Sequence, residues 1–222
     1  MIYVVISGGT IRKNELINKR DCRVLRQPQS LLPDEVKKYI ENTANEKTKD
    51  ERNLAYISLF SALKVFYSLD RCTLERSKNG KPYISTSLPS PIFFSLSHSD
   101  GMTAVALTDE NNIGVDIQGA VDEEKAKRLE NRFLSQVTAE NSNFEINYYY
   151  LTFNDDLVTL ETIEPKKDNN SDFLSKWVFA EANIKCLGLT FSDISKINEI
   201  SKFTKTQTIS FENFKIATTI AK

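Results

Sequence analysis

Between residues 92 and 117 three short apolar runs follow one another with very little chain between them. The runs at 92–97 and 102–107 are joined at Asp100-Gly101, a pair suited to a two-residue hairpin because both turn positions need positive φ. Glu110-Asn111-Asn112 then turns the chain into a third strand at 113–117. Helical periodicity stands on either side of these strands. Leu54, Ile57, Ser58, Ser61, Ala62 and Val65 recur at helical spacing and predict a helix over about 48–69, its stripe small enough for close packing. Leu32-Pro33-Asp34 opens a shorter amphipathic stretch to about residue 45. Asp122 caps a further helix to about Phe133, and another covers about 172–187.

The remaining strands are expected at 2–6, at 147–153 and 157–163 around Asn154-Asp155-Asp156, and near 205–211 and 214–221. Lys78-Asn79-Gly80-Lys81-Pro82 reads as a turn. Each half of the chain thus carries helix material followed by paired strands, and Met102–Leu107 resembles Lys215–Ile220 in pattern. The expectation is an α+β fold built as a pseudo-twofold pair of similar halves. Residues 1–110 form the first half and 111–222 the second, with an insertion at about 138–172.

Bulk properties narrow the partners. The 222 residues hold 29 Lys and Arg against 30 Asp and Glu, a formal net charge of −1. No global field therefore points to nucleic acid or to an anionic membrane, and any phosphate binding must rest on a local basic cluster. Cys22, Cys72 and Cys186 are scattered, which suits a reducing compartment better than a disulfide framework. No apolar run approaches bilayer-spanning length, and the opening Met1–Gly9 lacks the features of a signal peptide. The expected location is the cytoplasm.

Three segments could carry chemistry. In Gly114-Val115-Asp116-Ile117-Gln118 an acid sits inside an apolar strand, with Gln118 on the same face, and burial would make it seek a cation, donors or a metal. Its ordinary reading is a strand-end aspartate satisfied by backbone donors. In Trp177-Val178-Phe179-Ala180-Glu181-Ala182-Asn183-Ile184-Lys185 the Glu181–Lys185 pair shares a helix face, and its ordinary reading is an exposed ion pair. His98, the single histidine, closes Phe94-Ser95-Leu96-Ser97-His98 beside hydroxyl residues that suit phosphate donation. Taken alone it reads as structural, and Lys81 as a solvated loop lysine. Together, Asp116 and Glu181 could bind Mg²⁺, which is usually held by one or two carboxylates and a substrate's phosphates. Lys185, Lys81 and His98 could neutralise a pyrophosphate.

In this order the segments resemble the 4′-phosphopantetheinyl transferases, specifically the larger surfactin-synthetase-activating (Sfp) type. The likeness runs through Gly80-Lys81-Pro82, Phe94-x-x-Ser97-His98-Ser99, Ile113-Gly114-Val115-Asp116, Arg132-Phe133 and Trp177-x-x-Ala180-Glu181-Ala182-x-x-Lys185, covering roughly residues 45–195. The resemblance implies two α+β halves with coenzyme A and Mg²⁺ in the cleft between them. It implies transfer of the phosphopantetheine arm to a serine of an apo acyl or peptidyl carrier protein, with release of 3′,5′-ADP, by an enzyme that is commonly monomeric.

Carried over by position, Asp116 and Glu181 would hold Mg²⁺, and Glu181 would act as, or orient, the base for the serine. Lys185 would stabilise charge on the pyrophosphate. Ser97 and His98 would meet a coenzyme A phosphate, Lys81 the nucleotide end and Arg52 the 3′-phosphate. Gln118 stands where many members of this type have a second acidic metal ligand, and Ala180 where a lysine usually precedes the glutamate. These departures leave open an alternative: a weakened or inactive relative that binds coenzyme A or associates with a synthase. The long tyrosine-rich segment before Trp177 lies near where the carrier usually docks in this family, and is expected to bear on partner choice.

Overall fold

Strand β1 (Tyr3–Gly8) is buried from Val4 to Ile6 on both of its faces, and the architecture follows from that burial. The computed structural model describes residues 1–8, 17–26, 32–77, 82–85, 88–154, 157–168 and 172–222, with 17–26 as backbone only. The turn at 78–81, including Lys81, lies outside the described residues. The other strands are β2 (Ile17–Arg26), β3 (Thr73–Arg76), β4 (Pro82–Ser85), β5 (Phe93–Ser99), β6 (Met102–Thr108), β7 (Ile113–Gln118), β8 (Asn147–Asn154), β9 (Leu157–Ile163), β10 (Lys166–Lys167), β11 (Thr204–Phe211) and β12 (Phe214–Ala221). The helices are α1 (Asp34–Glu41), α2 (Glu46–Tyr67), α3 (Glu123–Leu129), α4 (Phe173–Leu187) and α5 (Ile197–Ile200). The protein is of the mixed α+β class, with several sheets.

Six strands form the larger sheet in the order β2-β9-β8-β1-β6-β5, and four form a second in the order β10-β11-β12-β7. β1 lies between antiparallel β6 and parallel β8. Its side chains divide by the two-residue period of a strand. Val5 packs with Leu59, Leu63, Val105 and Leu107 against α2, whereas Val4 and Ile6 pack with Ala104, Ala106, Val115 and Ile117 against the second sheet. An unbroken apolar run is what a strand covered on both faces requires. Helix α4 lies on the far face of the second sheet, where Val178 and Ala182 meet Ala217 of β12. The layers are therefore helices, sheet, sheet, helix.

Local signals account for the element ends. Asn45 accepts from Thr48 N to cap α2, and Asp122 and Asp172 do the same for α3 and α4. Helix α4 stops at Gly188, which is left-handed at φ 64. The hairpin between β5 and β6 turns on Asp100 (φ 49) and Gly101 (φ 79), both positive as the two-residue link demands. Helix α1 ends at Glu41, short of residue 45, because Asn45 is committed to starting α2. The expected strands at 147–153 and 157–163 are β8 and β9, and they enter the larger sheet beside β1 and β2. No described helix is long and apolar enough to cross a membrane.

Strand β7 departs from its predecessor. It leaves β6 and pairs antiparallel with β12. Its Ile113, Val115 and Ile117 face the larger sheet, which leaves Gly114, Asp116 and Gln118 for the α4 side. A Cβ built on Gly114 would lie 2.0 Å from the Ala182 carbonyl oxygen and 2.5 Å from Cys186 N. Backbone atoms cannot yield there, so Gly114→Ala must push α4 outward. The expected cost is about 1–3 kcal/mol, read as a lowered urea midpoint. An unchanged midpoint would overturn the close-approach account.

Candidate active site

Three serines of β5 bridge the two sheets. Ser95, Ser97 and Ser99 are spaced two apart and face β7, while Phe94 is buried against α2. Val115 N donates to Ser95 Oγ at 3.1 Å, Ser97 Oγ donates to Asp116 Oδ1 at 2.7 Å, and Gly119 N and Gln118 Nε2 donate to Ser99 Oγ at 3.2 and 3.1 Å. Hydroxyls take the place of a backbone ladder along this edge. They bring Asp116, 5% exposed, beside residues of β5.

Helix α4 supplies the other half of the cluster. Lys185 Nζ lies 2.6 Å from Asp116 Oδ1 and 3.0 Å from Ser97 Oγ. The aspartate expected to seek a cation thus has one. Glu181, one turn earlier, is half-buried close enough to Asp116 for their charges to interact. Burial, and then the Asp116 charge, push the Glu181 carboxyl above its ordinary range, while Lys185 pulls the other way. Two carboxylates against one ammonium leave a site short of positive charge.

Among the described residues no three His, Cys, Asp or Glu side chains gather to hold a metal. The available set is Asp116 and Glu181 with the amide of Gln118 nearby, whose Nε2 is turned toward Ser99. Such a set fits Mg²⁺, which needs only one or two carboxylates and completes its shell with water and substrate oxygens. The mutual charge of Asp116 and Glu181 is what a divalent ion would relieve.

A cavity of about 430 Å³ opens next to this cluster. Arg52 of α2, Arg76 of β3, His98 of β5 and Lys185 of α4 all line it, together with apolar surface from Phe94 and Leu96. Lys185 belongs to both the cavity and the carboxylate cluster. Arg52 Nη1 donates to Thr43 Oγ1 at 2.8 Å, and the guanidinium carbons of Arg52 and Arg76 stand 5.0 and 4.3 Å from the Tyr39 ring centroid. His98 Nδ1 is 2.8 Å from Glu51 Oε2.

The fold thus brings together Asp116, Ser97, Lys185 and Glu181 in one cluster, and Arg52, His98 and Lys185 around one cavity. Gln118 sits at the edge of the first, and Lys81 lies outside the described residues. Arg76, Tyr39 and Glu51 were not legible as site residues. Glu51 had a signal, since Ala55, Ser58 and Ala62 follow it at helical spacing and put it on the buried stripe of α2. Ala180 is fully buried in an apolar cluster with Leu134 and Ile184, so this position serves the core.

No protein-family model matches the chain, and no curated protein matches it at a significant level.

The raised Glu181 carboxyl has a consequence for stability. Its contribution is fully present below the ordinary glutamate range and is lost as pH rises through the raised folded value. Glu181→Gln removes that loss. The variant should unfold at a higher denaturant concentration than the wild type at pH 7, and the gap should close below pH ~4. A variant less stable at both pH values would show that the charged form is favoured by the fold.

Proposed function

We propose that the chain is a Mg²⁺-dependent 4′-phosphopantetheinyl transferase of the surfactin-synthetase-activating type, with coenzyme A and an apo acyl or peptidyl carrier protein as its substrates. One observation carries the reading. Lys185 is bonded to Asp116 and Ser97 and also lines the cavity that Arg52 and His98 reach from distant parts of the chain. The cavity is of ordinary size for a small-molecule site. The reading takes residues 1–110 and 111–222 as the two α+β halves, and the cavity at the edge of β5, which α2 and α4 both line, as the ligand cleft.

Residue roles follow from position and charge. Arg52, His98 and Lys185 hold phosphate oxygens by charge-assisted hydrogen bonds. Mg²⁺, held by Asp116 and Glu181, would neutralise charge on the pyrophosphate. The carrier serine oxygen attacks the β-phosphorus of coenzyme A as the bond to 3′,5′-ADP breaks. Glu181 takes the serine proton as general base. Lys185 stabilises the negative charge that develops on the leaving phosphate.

A second reading, coenzyme A binding without transfer, is favoured by Gln118. Its amide stands where many members of that type have a second acidic metal ligand, and it donates to Ser99. One experiment separates the two. The protein, coenzyme A and Mg²⁺ are incubated with several apo carrier proteins, and the carriers are weighed by mass spectrometry. Transfer adds a phosphopantetheine arm; coenzyme A binding with no adduct on any carrier selects the second reading, and no binding removes both. Asp116→Asn and Glu181→Gln should each slow transfer on the order of 10²-fold or more. Gln118→Glu should lower the Mg²⁺ concentration needed, and an unchanged Mg²⁺ titration would place residue 118 outside the metal shell.

A further inference from the structure

Glu51 is 8% exposed, an uncommon place for a carboxylate, and both its oxygens are engaged. Oε1 accepts from Gly101 N at 3.0 Å and Oε2 meets His98 Nδ1 at 2.8 Å. The carboxylate therefore ties α2 to the β5–β6 hairpin at two points, the end of β5 and the turn. An ionised carboxylate only accepts hydrogen bonds, so the shared proton is carried by Nδ1. Nε2 is then the ring nitrogen left for the cavity that His98 lines with Arg52 and Lys185. We propose that Glu51 is a positioning residue: it accepts from Nδ1–H of the His98 ring and so aims Nε2 into the cavity, where a second proton on Nε2 makes the imidazolium that donates to a phosphate oxygen of the ligand. Its role in ligand binding rests on the coenzyme A reading above; its role in setting the tautomer does not.

Gly101 N is a backbone donor on a turn with positive φ at both positions, and a glutamine at residue 51 can still offer it an acceptor. A glutamine has a single carbonyl oxygen. With that oxygen given to Gly101, its amide nitrogen faces Nδ1 as a donor and selects the opposite tautomer, protonated on Nε2. Near-isosteric replacement should therefore preserve the packing and invert the ring.

His98 is the only histidine, so long-range ¹H–¹⁵N spectra of the imidazole report on this site alone. At a pH where the ring is neutral, the wild type should show the Nδ1–H pattern and Glu51→Gln the Nε2–H pattern. An Nε2–H pattern in the wild type, or the same tautomer in both proteins, would overturn the proposal. Coenzyme A binding by calorimetry tests the consequence. Glu51→Ala and His98→Ala should each weaken it about tenfold, the loss of one charge-assisted hydrogen bond. The double variant should lose no more than either single one, and additive losses would show that Glu51 acts other than through His98. Failure of the wild type to bind coenzyme A would remove the reading of the site, and the tautomer spectra would then decide the role of Glu51 alone.

Discussion

At Gly114 the backbone of β7 lies so close to α4 that a methyl group would meet the Ala182 carbonyl oxygen at 2.0 Å, and this contact sets the depth at which the helix sits. Ala182 and Ala217 extend the same small-residue contact to β12. Because α4 lies deep, the Lys185 ammonium is 2.6 Å from a carboxylate that is 5% exposed. A larger side chain at 114 would hold the helix away and leave Asp116 buried without its cation. Losing the cation in that way is destabilising, because the buried charge left behind has lost its partner.

The serines of β5 complete the arrangement from the other side. β7 pairs with β12 along one edge only, and Ser95, Ser97 and Ser99 hydrogen-bond along the other. Ser97 has two partners in the cluster, the carboxylate it donates to and the ammonium it accepts from. Hydroxyls can serve both roles at once, which a backbone group cannot. The juncture of the two sheets is therefore polar and satisfied where most sheet-to-sheet contact is apolar, and it lies beside the cavity that the basic residues share.

Much of the fold was legible residue by residue. Asp100-Gly101 and the cap at Asp122 act within a few residues of chain, and each forms where expected; the caps at Asn45 and Asp172 and the exit at Gly188 are equally local. The alternation in β7 put Asp116 and Gln118 on one face, and the helical spacing put Glu181 and Lys185 on another. The strand partners were not legible. An apolar run states that both faces are covered without stating by what, so nothing in Tyr148–Leu151 says that it will lie parallel beside β1. Glu51 escaped notice because a buried acid on a helix is explained only by the turn that comes to meet it, fifty residues later in the chain for Gly101.

The sequence by itself determined the long helices, most of the long strands, and the ordered set of Ser97, His98, Asp116, Glu181 and Lys185, since these rest on local periodicity and turn chemistry; it did not show β2, β3, β4, β10 or α5. Tertiary structure decided what each side chain meets. It set Lys185 against Asp116, turned Gln118 toward Ser99, buried Ala180 in the core and gave His98 a carboxylate partner. The physical reason is that a polar group's role depends on burial and on the charge beside it. Both are properties of surfaces brought together from distant parts of the chain, and neither is carried by spacing.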